Sequence, residues 1–89
     1  MLLAPVTVTS SITEILPPRR GRLGYVVTVK GGGTVAFGYG DNAATQLSFA
    51  NGNEIPVGGD RFVIADEIAR LGVYGITSAG SATVAVQEF

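Results

Sequence analysis

The sequence predicts an all-β chain, a small antiparallel β-sandwich or barrel of about seven to eight short strands. Three observations carry that reading. Valine, isoleucine, threonine, phenylalanine and tyrosine recur in short runs, and these side chains suit a pleated, half-buried surface. Thirteen glycines and four prolines separate the runs, with a turn signal about every ten residues. Alternation of period two, the mark of a half-buried strand, is clear from Arg22 to Lys30. There Leu23, Tyr25, Val27 and Val29 share one face, while Arg22, Gly24, Thr28 and Lys30 mostly fall on the other.

Taken in chain order, Val6–Leu16 offers one or two strands, ended by Pro17-Pro18, which cannot donate to a ladder. The alternating run then meets Gly31-Gly32-Gly33 and resumes at Val35, Phe37 and Tyr39. Three glycines supply the positive φ of a tight turn without steric cost, so Leu23–Tyr39 reads as a β-hairpin. A second hairpin pairs Leu47–Ala50 with Glu54–Val57 across Asn51-Gly52, a dipeptide that favours a type I′ turn. After Gly58-Gly59, Phe62 and Ile64 share a face. Only Asp66–Leu71 reads as helical, roughly one turn capped by Asp66 and ended by Gly72. A last hairpin pairs Val73–Thr77 with Thr83–Gln87 across Ser78-Ala79-Gly80-Ser81, with Val84 and Val86 pointing one way. Tyr25, Phe37 and Phe62 lie in the apolar register and read as core.

The 89 residues suit a single β-domain, 1–89, with residues 1–6 a candidate extended N-terminal arm. Hydrophobic residues make up 46% and mean hydropathy is +0.38, while 15% of residues are charged, below the quarter or so typical of soluble domains. With no cysteine, neither a disulfide nor a thiolate metal site can staple the fold. A small domain without staples gains stability by oligomerising or docking. The net charge of −1, from six basic and seven acidic residues, argues against a nucleic-acid partner. No apolar run reaches the roughly 18 residues of a membrane span. The start, Met1–Val6, lacks the basic and long apolar regions of a signal peptide, so synthesis in the cytoplasm is expected.

The chain has no histidine and no cysteine. That removes the commonest general base, the commonest metal ligand and the best nucleophile, so no enzyme and no cofactor are expected. Asp66-Glu67 and Asp60 with Glu54 read as solvated turn carboxylates, since acid–base work needs one of a pair desolvated. Gly38-Tyr39-Gly40-Asp41-Asn42 lacks the third glycine and the long helix of a dinucleotide site and reads as a turn. Asp41, Asn42, Asn51, Asn53 and Glu54 match no calcium-loop spacing.

Candidate contact residues remain. Arg19, Arg20 and Arg22, beside Pro17-Pro18, form the chain's one charge cluster, suited either to forking carboxylates on a partner or to a solvated lead-in that blocks edge aggregation. Tyr74 and Phe89 are the aromatics least constrained to the core. Met1, Leu2 and Leu3 open an apolar start suited to adding a strand to a neighbour's open edge. Tyr39 with Asp41 and Asn42 is the best candidate for a glycan platform.

One resemblance spans nearly the whole chain. A threonine-valine strand opens it, then Pro18-Arg19, the alternating Leu23–Val29, the glycine turn Gly31–Gly33, Val35-Ala36-Phe37-Gly38, Ile55-Pro56-Val57-Gly58-Gly59, and the ending from Val73 to Glu88. This pattern resembles small β-sandwich proteins encoded among the virion genes of tailed phages, which decorate or cement capsids or sit on them as knobs or fibre bases. Its motifs are mainly turn glycines and strand valines. Asn51–Glu54 is shorter than the loop such proteins commonly place before the proline. The resemblance implies a structural virion protein on the capsid surface, bound to the major capsid protein and stabilising the head, as a homo-oligomer with a trimer favoured. A receptor- or glycan-binding module of a tail or fibre, and a head–tail adaptor or tail component, are the alternatives. The resemblance carries no catalytic signature.

Overall fold

A computed structural model of the chain describes residues 3–64 and 66–89. Among the described residues, eight strands form two four-stranded antiparallel sheets that face each other as a β-sandwich, the all-β architecture expected, and not a closed barrel. The first sheet runs in the order β1 (Val6–Val8), β8 (Ala82–Glu88), β3 (Tyr25–Gly31), β6 (Asp60–Val63). The second runs β2 (Thr13–Leu16), β7 (Val73–Thr77), β4 (Val35–Tyr39), β5 (Asn53–Ile55). Two short helices, α1 (Asp41–Gln46) and α2 (Asp66–Arg70), join β4 to β5 and β6 to β7.

The predicted hairpins are the main correction. Val35–Tyr39 does not pair with Leu23–Val29: β3 lies between β8 and β6, and β4 between β7 and β5. Likewise β7 and β8 lie in different sheets. Among consecutive strands, only β4 and β5 share a sheet. Each glycine-rich turn therefore carries the chain from one layer to the other, so that the apolar faces of β3 and β4 meet across the core. Gly32 shows why glycine stands at one crossing. Its φ is +93°, and a Cβ there would sit 2.3 Å from the Ser81 carbonyl oxygen and 2.7 Å from Ala82 Cα. The β3–β4 crossing thus packs directly on the β7–β8 crossing.

Alternation holds within the central strands. Tyr25, Val27 and Val29 of β3 and Ala82, Val84 and Val86 of β8 are buried against Val35, Phe37 and Val73 of the second sheet. Leu23 departs from the expected face: it precedes the ladder and is exposed. In β6 the register is the other one, with Val63 inward opposite Tyr25 and Phe62 and Ile64 outward. Phe62 is therefore not a core residue.

The expected hairpin over Leu47–Val57 is also replaced. Asp41–Gln46 is helical, and α1 with Leu47 covers the outer face of β4, where Gly38 lies against Ala43 and Leu47. That cover buries Ala36 on the side of β4 that alternation would leave wet. The helix expected after Asp66 is present as α2, whose Ala69 is fully buried.

Candidate functional site

The site starts from a polar lock at one end of the sandwich. Pro17-Pro18 ends β2, and the Arg19 N–H donates to the Arg70 carbonyl at 3.0 Å, tying the turn to the end of α2. This delivers Arg22 to the interior, where it is 3% exposed. Its Nε donates to Glu88 Oε2 at 2.9 Å, one terminal nitrogen donates to the carbonyls of Ala69 (3.1 Å) and Leu71 (3.2 Å), and the other donates to Pro17 at 2.6 Å. The guanidinium also sits 5.9 Å from the Tyr25 ring centroid. Glu88, itself 3% exposed, pairs with Arg19 as well. No buried side-chain polar atom among the described residues lacks a partner.

Of the three arginines the sequence groups, Arg22 is therefore an internal staple, Arg19 covers its mouth with a half-exposed side chain, and Arg20 faces solvent. The partner that sequence reasoning missed is Glu88. Its parity with Ala82, Val84 and Val86 was the available signal: one more step along β8 puts a carboxylate inside.

The next residue turns outward. Phe89 is held by its own N–H, which donates to the Gly24 carbonyl at 3.0 Å, and by its carbonyl, which accepts from Leu23 (2.7 Å) and Gly24 (3.0 Å). Its ring lies over Gly24, where a Cβ would come within 2.9 Å of it, and meets Phe62 at 5.5 Å between centroids, tilted by 39°. Four apolar side chains are exposed here, Leu23 at 68%, Phe62 at 61%, Ile64 at 63% and Phe89 at 47%, and on its other side Phe89 borders a depression lined by Arg19, Arg22 and Glu88. These four stand at the end of β6, the outermost strand of its sheet. The Val29 N–H donates to Gly59, so the odd residues of β3 face β6, and alternation turns the backbone N–H and C=O of Phe62 toward the open edge.

The other sequence candidates lie elsewhere. Tyr74 is half-buried on the outer face of the second sheet, beside Glu14 and Gly38, away from Phe89. The Leu3 N–H donates to Val86 at 3.1 Å, and its side chain helps line a shallow depression with Pro5, Val26 and Ala85 on the first sheet. Met1 and Leu2 lie outside the described residues.

Glu54, Asp60 and Glu67 are exposed, and no three His, Cys, Asp or Glu residues among those described converge as metal ligands. Burial pushes the Tyr25 hydroxyl above its usual value of 10.0, opposed by the nearby charges of Arg61 and Arg22. No described helix is long and apolar enough to cross a membrane. The corner can exclude water from an apolar partner and offer a strand edge. Comparison with protein-family models, with curated proteins and with solved structures returned no match.

Proposed function

We propose that this chain is a structural docking protein of a virion, a decoration or cement subunit that binds the major capsid protein and stabilises the head without catalysing a reaction. The observation that carries the reading is the exposed corner of Leu23, Phe62, Ile64 and Phe89 at an open strand edge. Contiguous exposed apolar surface of this kind marks interaction sites. The whole-chain resemblance to capsid-surface proteins of tailed phages supplies the partner and the destination, a virion surface reached after synthesis in the host cytoplasm.

Magnitudes favour several copies acting together. Fully burying a large apolar side chain contributes about 1.5–3 kcal/mol, and since these four are already partly covered, burying what remains exposed gives roughly 4–7 kcal/mol. Association costs on the order of 4–15 kcal/mol. One corner alone is marginal. A homo-oligomer, with a trimer favoured, presents linked corners and gains from effective concentration. Arg20 at the solvent-facing turn suits a carboxylate at the rim.

The test is the position of the chain in purified particles, read by peptide identification and by cross-linking. Cross-links from the first sheet's outer face to the major capsid protein are expected. Absence from the particle overturns the reading, and a position confined to the tail moves it to an adaptor or fibre role.

A further inference from the structure

A groove of about 270 Å³ opens on the second sheet, away from the face that carries Phe62 and Phe89. It exists because β5 stops early. β5 pairs with β4 only as far as Phe37 opposite Asn53, leaving Tyr39 beyond the end of the ladder. The Gly40 N–H donates to Gly72 at 2.9 Å, so even residues of β4 face β7. By alternation, Tyr39 turns its backbone N–H and C=O the other way, toward the side that β5 has vacated.

Five uncharged polar side chains line that opening. The Tyr39 ring is partly exposed, with the Arg61 guanidinium 5.7 Å from its centroid. Asn42 and Gln46 come from α1 and Asn53 from β5, and their side-chain amides have no hydrogen-bond partner among the described residues. The rim is held by Asn51, whose Oδ1 accepts from the Ser48 N–H at 2.7 Å and whose Nδ2 donates to the Gln46 carbonyl at 3.0 Å. Phe37 and Leu47 add apolar lining.

We propose that this groove binds one ring of a neutral saccharide, its C–H face against Tyr39 and its hydroxyls paired with the amides of Asn42, Gln46 and Asn53. The chemistry selects that class. Each amide offers both a donor and an acceptor, as vicinal hydroxyls require. The lining itself holds no charged side chain, and the nearby Arg61 guanidinium is engaged with the Tyr39 ring, so the polar groups free to meet a ligand are neutral amides. An aromatic face with a few placed polar groups is the usual make-up of a small-ligand site, and the volume lies just below the roughly 300–1,000 Å³ of larger ligands. Asp41, although adjacent in sequence, does not line the groove. This site is independent of the docking role.

The experiment is an amide-resolved NMR titration of the intact protein with glucose, galactose, mannose and N-acetylglucosamine, each to millimolar concentration. At least one sugar should shift Tyr39, Asn42 and Asn53 saturably and leave Phe62 and Phe89 unmoved. Tyr39→Ala, and separately Asn42→Ala with Asn53→Ala, should weaken that sugar by about tenfold or more. Asn42 and Asn53 are exposed, so the double variant keeps the fold and its spectrum verifies this. No saturable shift from any of the four sugars, or a shift unchanged in the double variant, overturns the proposal. Shifts produced instead by a capped valine-threonine pentapeptide overturn it in favour of strand addition beside Tyr39.

Discussion

Arg22 and Glu88 stand 66 residues apart and meet as a buried ion pair, Nε to Oε2 at 2.9 Å. The pair binds the turn after β2, the end of α2 and the last strand into one unit, since Arg22 also bonds the carbonyls of Pro17, Ala69 and Leu71. In a chain without cysteine, this polar staple fixes the end of the sandwich on which Phe89 is displayed.

Removing one partner leaves the other charge buried. Glu88→Ala should cost about 3–5 kcal/mol, a large share of the roughly 5–15 kcal/mol that holds a small domain together. Arg22→Lys should also be strongly destabilising, because an ammonium cannot reach four acceptors arranged around a planar fork. Arg19→Ala should cost about 0–1 kcal/mol, its side chain being half exposed, and Arg20→Ala should fall within about 0.5 kcal/mol of the parent. Urea unfolding of the four variants reads this order. Equal midpoints for Glu88→Ala and Arg20→Ala contradict a structural role for the pair.

Gly24 makes room for the aromatic corner. A Cβ there would lie 2.6 Å from the Val63 carbonyl oxygen and 2.9 Å from Phe89 Cε2, and the carbonyl belongs to the adjacent strand, so it has little freedom to withdraw. Gly24→Ala should cost about 1–3 kcal/mol through overpacking and push the Phe89 ring off Phe62. Loss of the nuclear Overhauser contacts between the two rings, with a lowered melting temperature, is the expected result. Retained contacts at parent stability would count against this packing.

Alkaline pH tests the burial of Tyr25. Because burial raises its ionisation above 10.0, the folded chain holds the phenolic proton more tightly than the unfolded chain. The resulting stability is fully present below about pH 10 and is lost as pH rises through the folded-state value. Tyr25→Phe should flatten the fall in melting temperature above about pH 10. Identical pH profiles for the two proteins would refute this.

Much of the fold was legible in the alternation of β3 and β8, which names Tyr25, Val27, Val29, Val84 and Val86 as inward residues. Layering was not legible. Gly31–Gly33 and Ser78–Ser81 look alike whether the chain turns back beside itself or crosses to the facing sheet, because that choice is made by contacts distant in sequence. Gly32→Ala probes one such contact and should prevent native packing, since Ser81 occupies the space a Cβ needs. Phe62, Val63 and Ile64 form an unbroken apolar run, so period two cannot choose between registers until Tyr25 pairs with Val63. Asp41–Gln46 carries too little apolar periodicity to announce a helix, and with it the groove stayed hidden. Arg19, Arg20 and Arg22 stand together in the sequence, and only the parity of Glu88 along β8 separates the inward arginine from the outward one.

The proposed docking to a capsid through the Phe62–Phe89 corner is tested most directly by titrating the protein onto capsids assembled from a major capsid protein without this chain. The parent protein should bind saturably, and Phe62→Ser should bind about tenfold more weakly or worse, as befits an interface anchor, while unfolding close to the parent midpoint. Equal occupancy by parent and variant, or no binding by the parent, would contradict docking at this corner.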